Sequence, residues 1–464
     1  MPEKPTICLL NDSFPPIIDG VANVVVNYAS QIEMHYGRAV VATPAYPGAE
    51  DGAWPFEVVR YPSLDVRKLV GYMAGYPFSP AVARRLRETG TALLHTHCPV
   101  VSTMLARELR GPVDAPVVFT YHTKFDIDIA KAIRGRLLRE EAVRALVMNI
   151  AACDEVWVVS RGAGENLRSL GYEGDMLVME NGVDVERGRA DEAAVAAACG
   201  GYDLPAGVPV FLFVGRLMWY KGLRIILDAL GALAAAGEDF RMVVVGDGAD
   251  AAEIRAYAAS LRLEDRCFFT GAISDRETLR AWYCRADLFL FPSTFDTNGL
   301  VVREAAACSL PAVLIRGSCA AEGVTDGRNG FLIDEDAPSM AAKLRELCAA
   351  PETVKTAGEA ASRELYLSWA DAVRKAADRY EIVLDGWQSG HYKKKQQPMD
   401  EFFRYQGELM DALGRIDGAV EKWSRWLAEG RNDFVERRRE KRRELRDSIR
   451  ETTEAVWQKL DRYL

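Results

Sequence analysis

Ser293-Thr-Phe-Asp296-Thr-Asn-Gly299-Leu-Val-Val-Arg-Glu304-Ala-Ala-Ala307 follows an apolar run, 286–291, that contains a single Asp. The run reads as a strand, Asn298-Gly299 turns the chain, and 300–307 reads as a helix. Asp296 is then on the loop and Glu304, eight positions on, in the second turn of the helix. A helix that opens at the end of a parallel strand points free backbone N–H groups at whatever sits there, which makes an anion site. A carboxylate beside a bound phosphate can only accept hydrogen bonds, and the vicinal diol of a ribose offers two hydroxyls. The stretch therefore points to a nucleoside diphosphate joined to something polyhydroxylated.

On either side of it, short apolar runs alternate with amphipathic stretches. A first series of expected strands covers 6–10, 39–42, 92–95, 116–120 and 155–159; after Asn181-Gly-Val-Asp184 and a Gly- and Ala-rich connection, a second covers 210–214, 241–245, 267–270, 288–291 and 311–315. Such alternation favours parallel sheets with helices on both faces, so the expected fold class is α/β with two Rossmann-like domains. Ligands of such sheets lie at the strand carboxyl ends, in a cleft where the two domains face each other. The expected organisation is a first domain over 1–185, a second over 205–363, a crossing helix over 364–387 that returns to the first, and a helical extension over 388–464. In that extension, heptad-like apolar spacing after the polar break 391–398 suggests a hairpin or coiled coil.

Asp296-x7-Glu304 resembles the paired-acid motif of the family 4 glycosyltransferases, the group 1 retaining enzymes of the GT-B fold, with Asp where the family usually has Glu. The likeness covers roughly residues 5–385, and further motifs recur in the family's order. Phe213-Val-Gly-Arg216-Leu-Met-Trp-Tyr-Lys221-Gly222 follows a strand and opens a helix, which sets two cations beside a positive helix terminus. Judged alone they read equally well as solvated loop charges. The segment looks like the family's Gly-Arg…Lys-Gly element, which implies that Arg216 and Lys221 hold the donor diphosphate and stabilise the departing group. Asn11-Asp-Ser-Phe-Pro-Pro-Ile-Ile-Asp19-Gly20 resembles the family's Gly-Gly loop with only the second Gly kept, and places Gly20 by the donor.

Thr120-Tyr-His122-Thr123 ends an expected fourth strand, where the resemblance puts a His by the reaction centre. Val245-Gly246-Asp-Gly248 and Thr270-Gly271-Ala-Ile273 resemble the segments around the donor base and phosphates, and family frequency favours UDP. The resemblance thus implies His122, Asp296, Arg216 and Lys221 as catalytic residues. It implies a donor site of Gly20, Arg216, Lys221, Gly246, Gly271, Ile273, Asp296, Thr297, Asn298, Gly299, Leu300 and Glu304. His97, in His95-Thr-His97, is a weaker cleft candidate; the pair would suit a metal, but no third ligand is evident. Asp126-Ile-Asp128 falls in a helical stretch rather than at a strand end, and neither a metal nor a cofactor is expected.

The 464 residues, 49% hydrophobic and 27% charged, have ordinary soluble composition. A net charge of −9 argues against general nucleic-acid binding; it is uneven, because 18 basic and 15 acidic residues from Gln388 onward give that segment +3. Nine cysteines without a Cys-x-x-Cys spacing fit reduced thiols in a cytoplasm. No signal peptide or bilayer-spanning run is read. Thr120-Tyr-His-Thr-Lys124-Phe125 looks closest to the lipid-modifying members of the family, such as diacylglycerol glucosyltransferases. Arg67, Lys68, Arg84, Arg85, Arg87, Lys124, Lys131, Arg134, Arg136, Arg139 and Arg144 read equally as a face for anionic lipid and as solvated helix surface. Expected partners are a nucleotide-sugar donor, a hydroxyl acceptor with glycolipid precursors among the candidates, an anionic membrane surface, and a second copy through the terminal helices. Two other readings stay open: a sugar-nucleotide epimerase, and a catalytically weak scaffold built on the helical tail.

Overall fold

The computed structural model of the chain describes residues 4–392 apart from 18, 66–72, 78, 126–128 and 130–134. Asp126-Ile-Asp128, Arg67, Lys68, Lys131, Arg134 and nearly all of the expected helical extension therefore lie outside the described residues.

Fifteen strands are described. They are β1 (Thr6–Leu10), β2 (Arg38–Pro44), β3 (Glu57–Tyr61), β4 (Ser63–Asp65), β5 (Met73–Gly75), β6 (Thr91–Thr96), β7 (Val117–Tyr121), β8 (Glu155–Val158), β9 (Leu177–Val178), β10 (Val210–Val214), β11 (Arg241–Val245), β12 (Cys267–Gly271), β13 (Leu288–Phe291), β14 (Ala312–Ile315) and β15 (Phe331–Ile333). Seven form a parallel sheet in the order β3-β2-β1-β6-β7-β8-β9 and six a second in the order β12-β11-β10-β13-β14-β15, while β4 and β5 pair as a small antiparallel ribbon. In both large sheets the order runs outward from the first strand to one edge, then restarts on its other side. The switch points are between β1 and β6 and between β10 and β13, where loops diverge and leave a crevice.

The sequence dictates these strands by plain burial. Phe211-Leu-Phe-Val214 and Leu288-Phe-Leu-Phe291 are buried throughout, as a strand covered by helices on both faces must be. The helix Leu223–Ala235 buries Leu223, Ile226, Leu227, Leu230 and Leu233, the 3–4 spacing that presents one apolar stripe to the second sheet. The helix Trp369–Gln388 carries the same period on Trp369, Ala372, Val373, Ala376, Tyr380 and Val383 and packs in the core of the first sheet with Ile7, Leu9 and Tyr28. Its start is fixed twice: Ser368 Oγ accepts from Asp371 N at 3.1 Å, and Val183 N donates to Leu367 O at 3.0 Å. On the other face, Arg110 pairs with Asp154 in the interior, and Asp154 Oδ2 also accepts from Val117 N at 2.8 Å, so that buried charge is satisfied.

Strands that sequence reading passed over sit at edges. β3 is half-exposed, with Glu57 and Arg60 breaking its apolar pattern; β9 has two exposed residues, and β15 only three in all. Among the described residues no helix is long and apolar enough to cross a membrane.

Candidate active site

The second sheet brings four strand-end turns to one edge. After β10, Gly215 leads into Arg216 and a short turn at Trp219–Lys221; after β11 come Gly246 and Gly248; after β12, Gly271 to Ile273; after β13, the stretch 292–299. The first two interlock through missing side chains. A Cβ on Gly246, whose φ is +141°, would lie 1.9 Å from Gly215 O, and Gly246 N instead donates to Gly271 O at 2.9 Å. Gly222, at φ +81°, likewise has Pro292 O 2.0 Å from where a Cβ would be, which clamps the Lys221 turn onto the β13 loop.

That clamp determines what Lys221 meets. Its ammonium, on a residue only 7% exposed, is 2.6 Å from Asp296 Oδ1, and Ser293 Oγ donates to Asp296 Oδ2 at 2.6 Å. Tyr220, Phe291 and Phe295 place their rings around the same ammonium at 5.7–5.9 Å. Arg216 behaves differently: it is exposed, and among the described residues its side chain has no ion pair or hydrogen bond. A cation held by protein and a cation left to solvent thus lie five positions apart at the end of β10, the strand bordering the switch point.

The helix Leu300–Ala307 starts from Gly299 at φ +61° with no side chain capping its first turn, so its leading N–H groups are available to a ligand. Glu304, on that helix, is nearly enclosed. Tyr283 OH donates to its Oε2 at 2.9 Å, and Arg276 Nη1 is 3.7 Å from its Oε1. Burial raises its pKa, and the Tyr283 hydrogen bond and the Arg276 charge partly offset this. Arg276 continues to Asp184 at 3.1 Å, and Asn23 Nδ2 donates to the same Asp184 oxygen at 3.2 Å. Glu304 is therefore linked through two ion pairs to the first turn of the helix Gly20–Gln31 of the other sheet.

Gly20 has open space around the position of a Cβ, as a backbone approach needs. Asp19 beside it is the N-cap of that helix: its Oδ1 accepts from Val21 N at 2.9 Å and Ala22 N at 2.7 Å, filling the helix terminus with the protein's own anion.

His122 follows β7, the fifth strand of its sheet rather than the expected fourth, because β3 precedes it in the chain. Thr297 Oγ1 donates to His122 O at 2.6 Å, which brings the residue next to Asp296 onto the first sheet's edge. Neighbouring bonds do the same: Ser160 Oγ to Thr297 O at 2.5 Å, Asn298 Nδ2 to Val159 O at 2.5 Å, and Lys124 Nζ to Thr294 O at 3.1 Å. Thr297 and Asn298 thus spend their side chains on the first sheet's strand ends. Glu322 completes this contact by accepting from Arg161 N at 2.8 Å and Gly162 N at 2.6 Å, the first two N–H groups of the helix Arg161–Ser169, whose Ala163 N is capped by Ser160 Oγ.

The structure joins Lys221 to Asp296, and Thr297 to His122, by direct bonds. Glu304 belongs to a second cluster, whose other members Arg276, Tyr283, Asp184 and Asn23 carried no motif. One signal was available: Arg276 and Tyr283 are seven positions apart and so share a helix face. Among the described residues no group of three or more His, Cys, Asp or Glu is placed to hold a metal ion.

A family model described as glycosyl transferases group 1 matches residues 201–364, and one described as glycosyltransferase family 4 matches 18–187. The chain is similar to a GDP-mannose-dependent alpha-mannosyltransferase of Corynebacterium glutamicum, 27% identical over 79% of this chain and 89% of that one. It is 23% identical to an alpha-monoglucosyldiacylglycerol synthase of Streptococcus pneumoniae, over 84% and 87% of the two chains. A D-inositol 3-phosphate glycosyltransferase of Xylanimonas cellulosilytica is 30% identical over 62% of this chain and 69% of its own. In three dimensions, Anabaena HepE in complex with UDP aligns with a TM-score of 0.65 at 18% identity, over 81% of this chain and all of that one.

Proposed function

The chain belongs to the family 4, group 1 glycosyltransferases and has their GT-B fold, and from that premise we propose that it transfers a hexose, with retention, from a nucleoside diphosphate to an acceptor hydroxyl without a metal ion. The observation that carries this reading is that Arg216, exposed and without a side-chain partner among the described residues, and the Asp296-held Lys221 follow β10, while the uncapped helix Leu300–Ala307 follows its neighbour β13 across the switch point. Residues 205–363 would hold the donor and 1–185 the acceptor. Arg216, Lys221 and the free N–H groups after Gly299 neutralise the departing diphosphate, each such donor contributing about 3 kcal/mol of transition-state stabilisation. Glu304, already accepting from a phenol, takes the ribose hydroxyls, and Gly271 to Ile273 contact the base. The bond from the sugar's anomeric carbon to the diphosphate breaks with its electron pair moving to the leaving oxygen. The acceptor oxygen bonds to that carbon from the same face, and its proton passes to the leaving group. His122 and Asp296 orient the reacting centre.

UDP is the donor nucleotide expected from the sequence, and the relative named for GDP-mannose sets GDP beside it. Both belong in one panel of labelled donors, incubated with membrane lipid extract and scored by mass spectrometry and by the anomeric configuration of the product. A retained glycoside supports the proposal; an altered sugar nucleotide formed from donor alone would indicate an epimerase, and untouched donor throughout a scaffold.

For the acceptor, the relative named as a glucosyldiacylglycerol synthase supports a lipid. The helix Arg136–Ala151 exposes Leu137, Leu138 and Met148. Its Arg136 and Arg144 are within 3.4 and 3.0 Å of Glu140 and Glu141, so apolar contact outweighs charge there. Sedimentation with vesicles, neutral and anionic, tests membrane contact; no binding to either removes it.

A further inference from the structure

Three histidines at the ends of β6 and β7 form a buried file that the transfer reading uses only at its outer member. His95 is satisfied at both nitrogens, with Tyr380 OH at 2.6 Å from Nδ1 and Thr120 Oγ1 at 2.7 Å from Nε2. His97, 1% exposed, has Nδ1 at 2.9 Å from His122 Nε2, and its own Nε2 is buried without a partner among the described residues. Tyr28 lies edge-on to both inner rings at 5.8 and 5.6 Å and closes the inner side with an apolar surface. Burial holds all three imidazoles in the neutral form.

Two neutral imidazoles that share one hydrogen bond have two tautomeric arrangements. Were His122 Nε2 to donate, His97 would hold its proton on Nε2, as an N–H in the interior with nothing to receive it. Were His97 Nδ1 to donate, the unmet atom would be a lone pair. An orphaned buried N–H is the rarer and costlier of the two. We propose that His97 is a positioning residue: its Nδ1–H donates to His122 Nε2 and thereby fixes His122 as the Nδ1–H tautomer, a hydrogen-bond donor rather than a base toward the cleft. Thr297 Oγ1 holds the backbone of His122 and His97 holds one ring nitrogen, so Nδ1 is the atom left for a ligand. A donor there recognises a sugar hydroxyl or ring oxygen as an acceptor, and takes no proton from the incoming alcohol. The functional part rests on the transfer reading; the tautomer itself does not.

Selective 15N labelling of the five histidines in the full chain, with signals assigned by single substitution, reads the tautomer directly in long-range 15N–1H spectra. Expected is Nδ1–H on His122 in the parent chain and in His97→Asn, whose amide nitrogen replaces Nδ1, with a change toward Nε2–H in His97→Leu. Donor turnover should stay within about threefold in His97→Asn and fall roughly tenfold or more in His97→Leu, the loss of one hydrogen bond. Nε2–H on His122 in the parent chain, or an unchanged tautomer in His97→Leu, overturns the assignment. If the tautomers behave as stated while no donor is consumed, the transfer reading fails and the assignment stands.

Discussion

Lowering the pH from 7 to 5 should destabilise this protein through its histidine file. His122 has its pKa pushed down to about 3 by burial, against an ordinary value near 6.5, and His95 and His97 are held well below that value for the same reason. The unfolded chain takes up protons at these side chains as pH falls through 6.5 while the folded chain does not, so stability is lost with acid across this window. For His122 alone the linkage integral between pH 7 and 5 is about 2 kcal/mol, and the two inner histidines add in the same direction. Asp12 and Glu304 act oppositely: burial raises both, so the folded chain binds their protons first and regains stability at the acid end. Equilibrium urea unfolding followed by tryptophan fluorescence at pH 7, 6 and 5 measures the balance. The parent chain should lose at least about 2 kcal/mol, and His122→Asn should lose about 2 kcal/mol less over the same interval. Equal or greater stability at pH 5, or an identical dependence in the variant, would refute the claim that the file is buried and neutral.

Other perturbations separate binding from folding. Asp296→Asn leaves the buried Lys221 ammonium without its counter-ion, and should cost about 3 kcal/mol in the free protein. Saturating nucleoside diphosphate should restore part of this, so the ligand-induced rise in melting temperature should be larger in the variant than in the parent; an equal or smaller rise contradicts an anion beside Lys221. Gly246→Ala forces a Cβ into Gly215 O at positive φ and should cost about 1–3 kcal/mol in strain alone, together with loss of donor binding; a stable, active variant would show that the two turns are not interlocked. Arg276→Met removes the cation between Glu304 and Asp184, which should raise the Glu304 pKa further and weaken nucleotide binding at pH 7 by about tenfold. Calorimetry from pH 6 to 8 checks this, and an unchanged profile would separate Glu304 from the ribose.

The two series of buried strands were readable because a parallel strand covered on both faces is a continuous apolar word. Val210–Val214, Arg241–Val245 and Leu288–Phe291 stand where sequence placed them. β3, β9 and β15 were not legible, since an edge strand mixes Glu57 or Arg60 with its apolar residues or is too short to show a period. Around the candidate site, motif order singled out Arg216, Lys221, Asp296 and Glu304, of which the structure joins Lys221 to Asp296 directly. Asp184, Arg276 and Tyr283 were not legible, because they matter only through contacts that the fold creates between residues 21 to 92 positions apart. Asp19 was legible as a departure from Gly-Gly, but its capping of Val21 and Ala22 depended on where the helix begins. Lys221, which judged alone reads equally well as a solvated loop charge, is buried and paired with Asp296, so its removal perturbs folding as well.

Arg216 is for that reason the cleaner probe of the central claim. It is exposed and bound to no other residue among those described, so Arg216→Ala should change folding stability by less than about 0.5 kcal/mol. Isothermal titration of UDP and of GDP into the parent chain and into Arg216→Ala tests whether a diphosphate occupies the end of β10. The account predicts saturable binding of one of them by the parent and a dissociation constant at least about tenfold weaker in the variant. Equal affinity in the two proteins would contradict it.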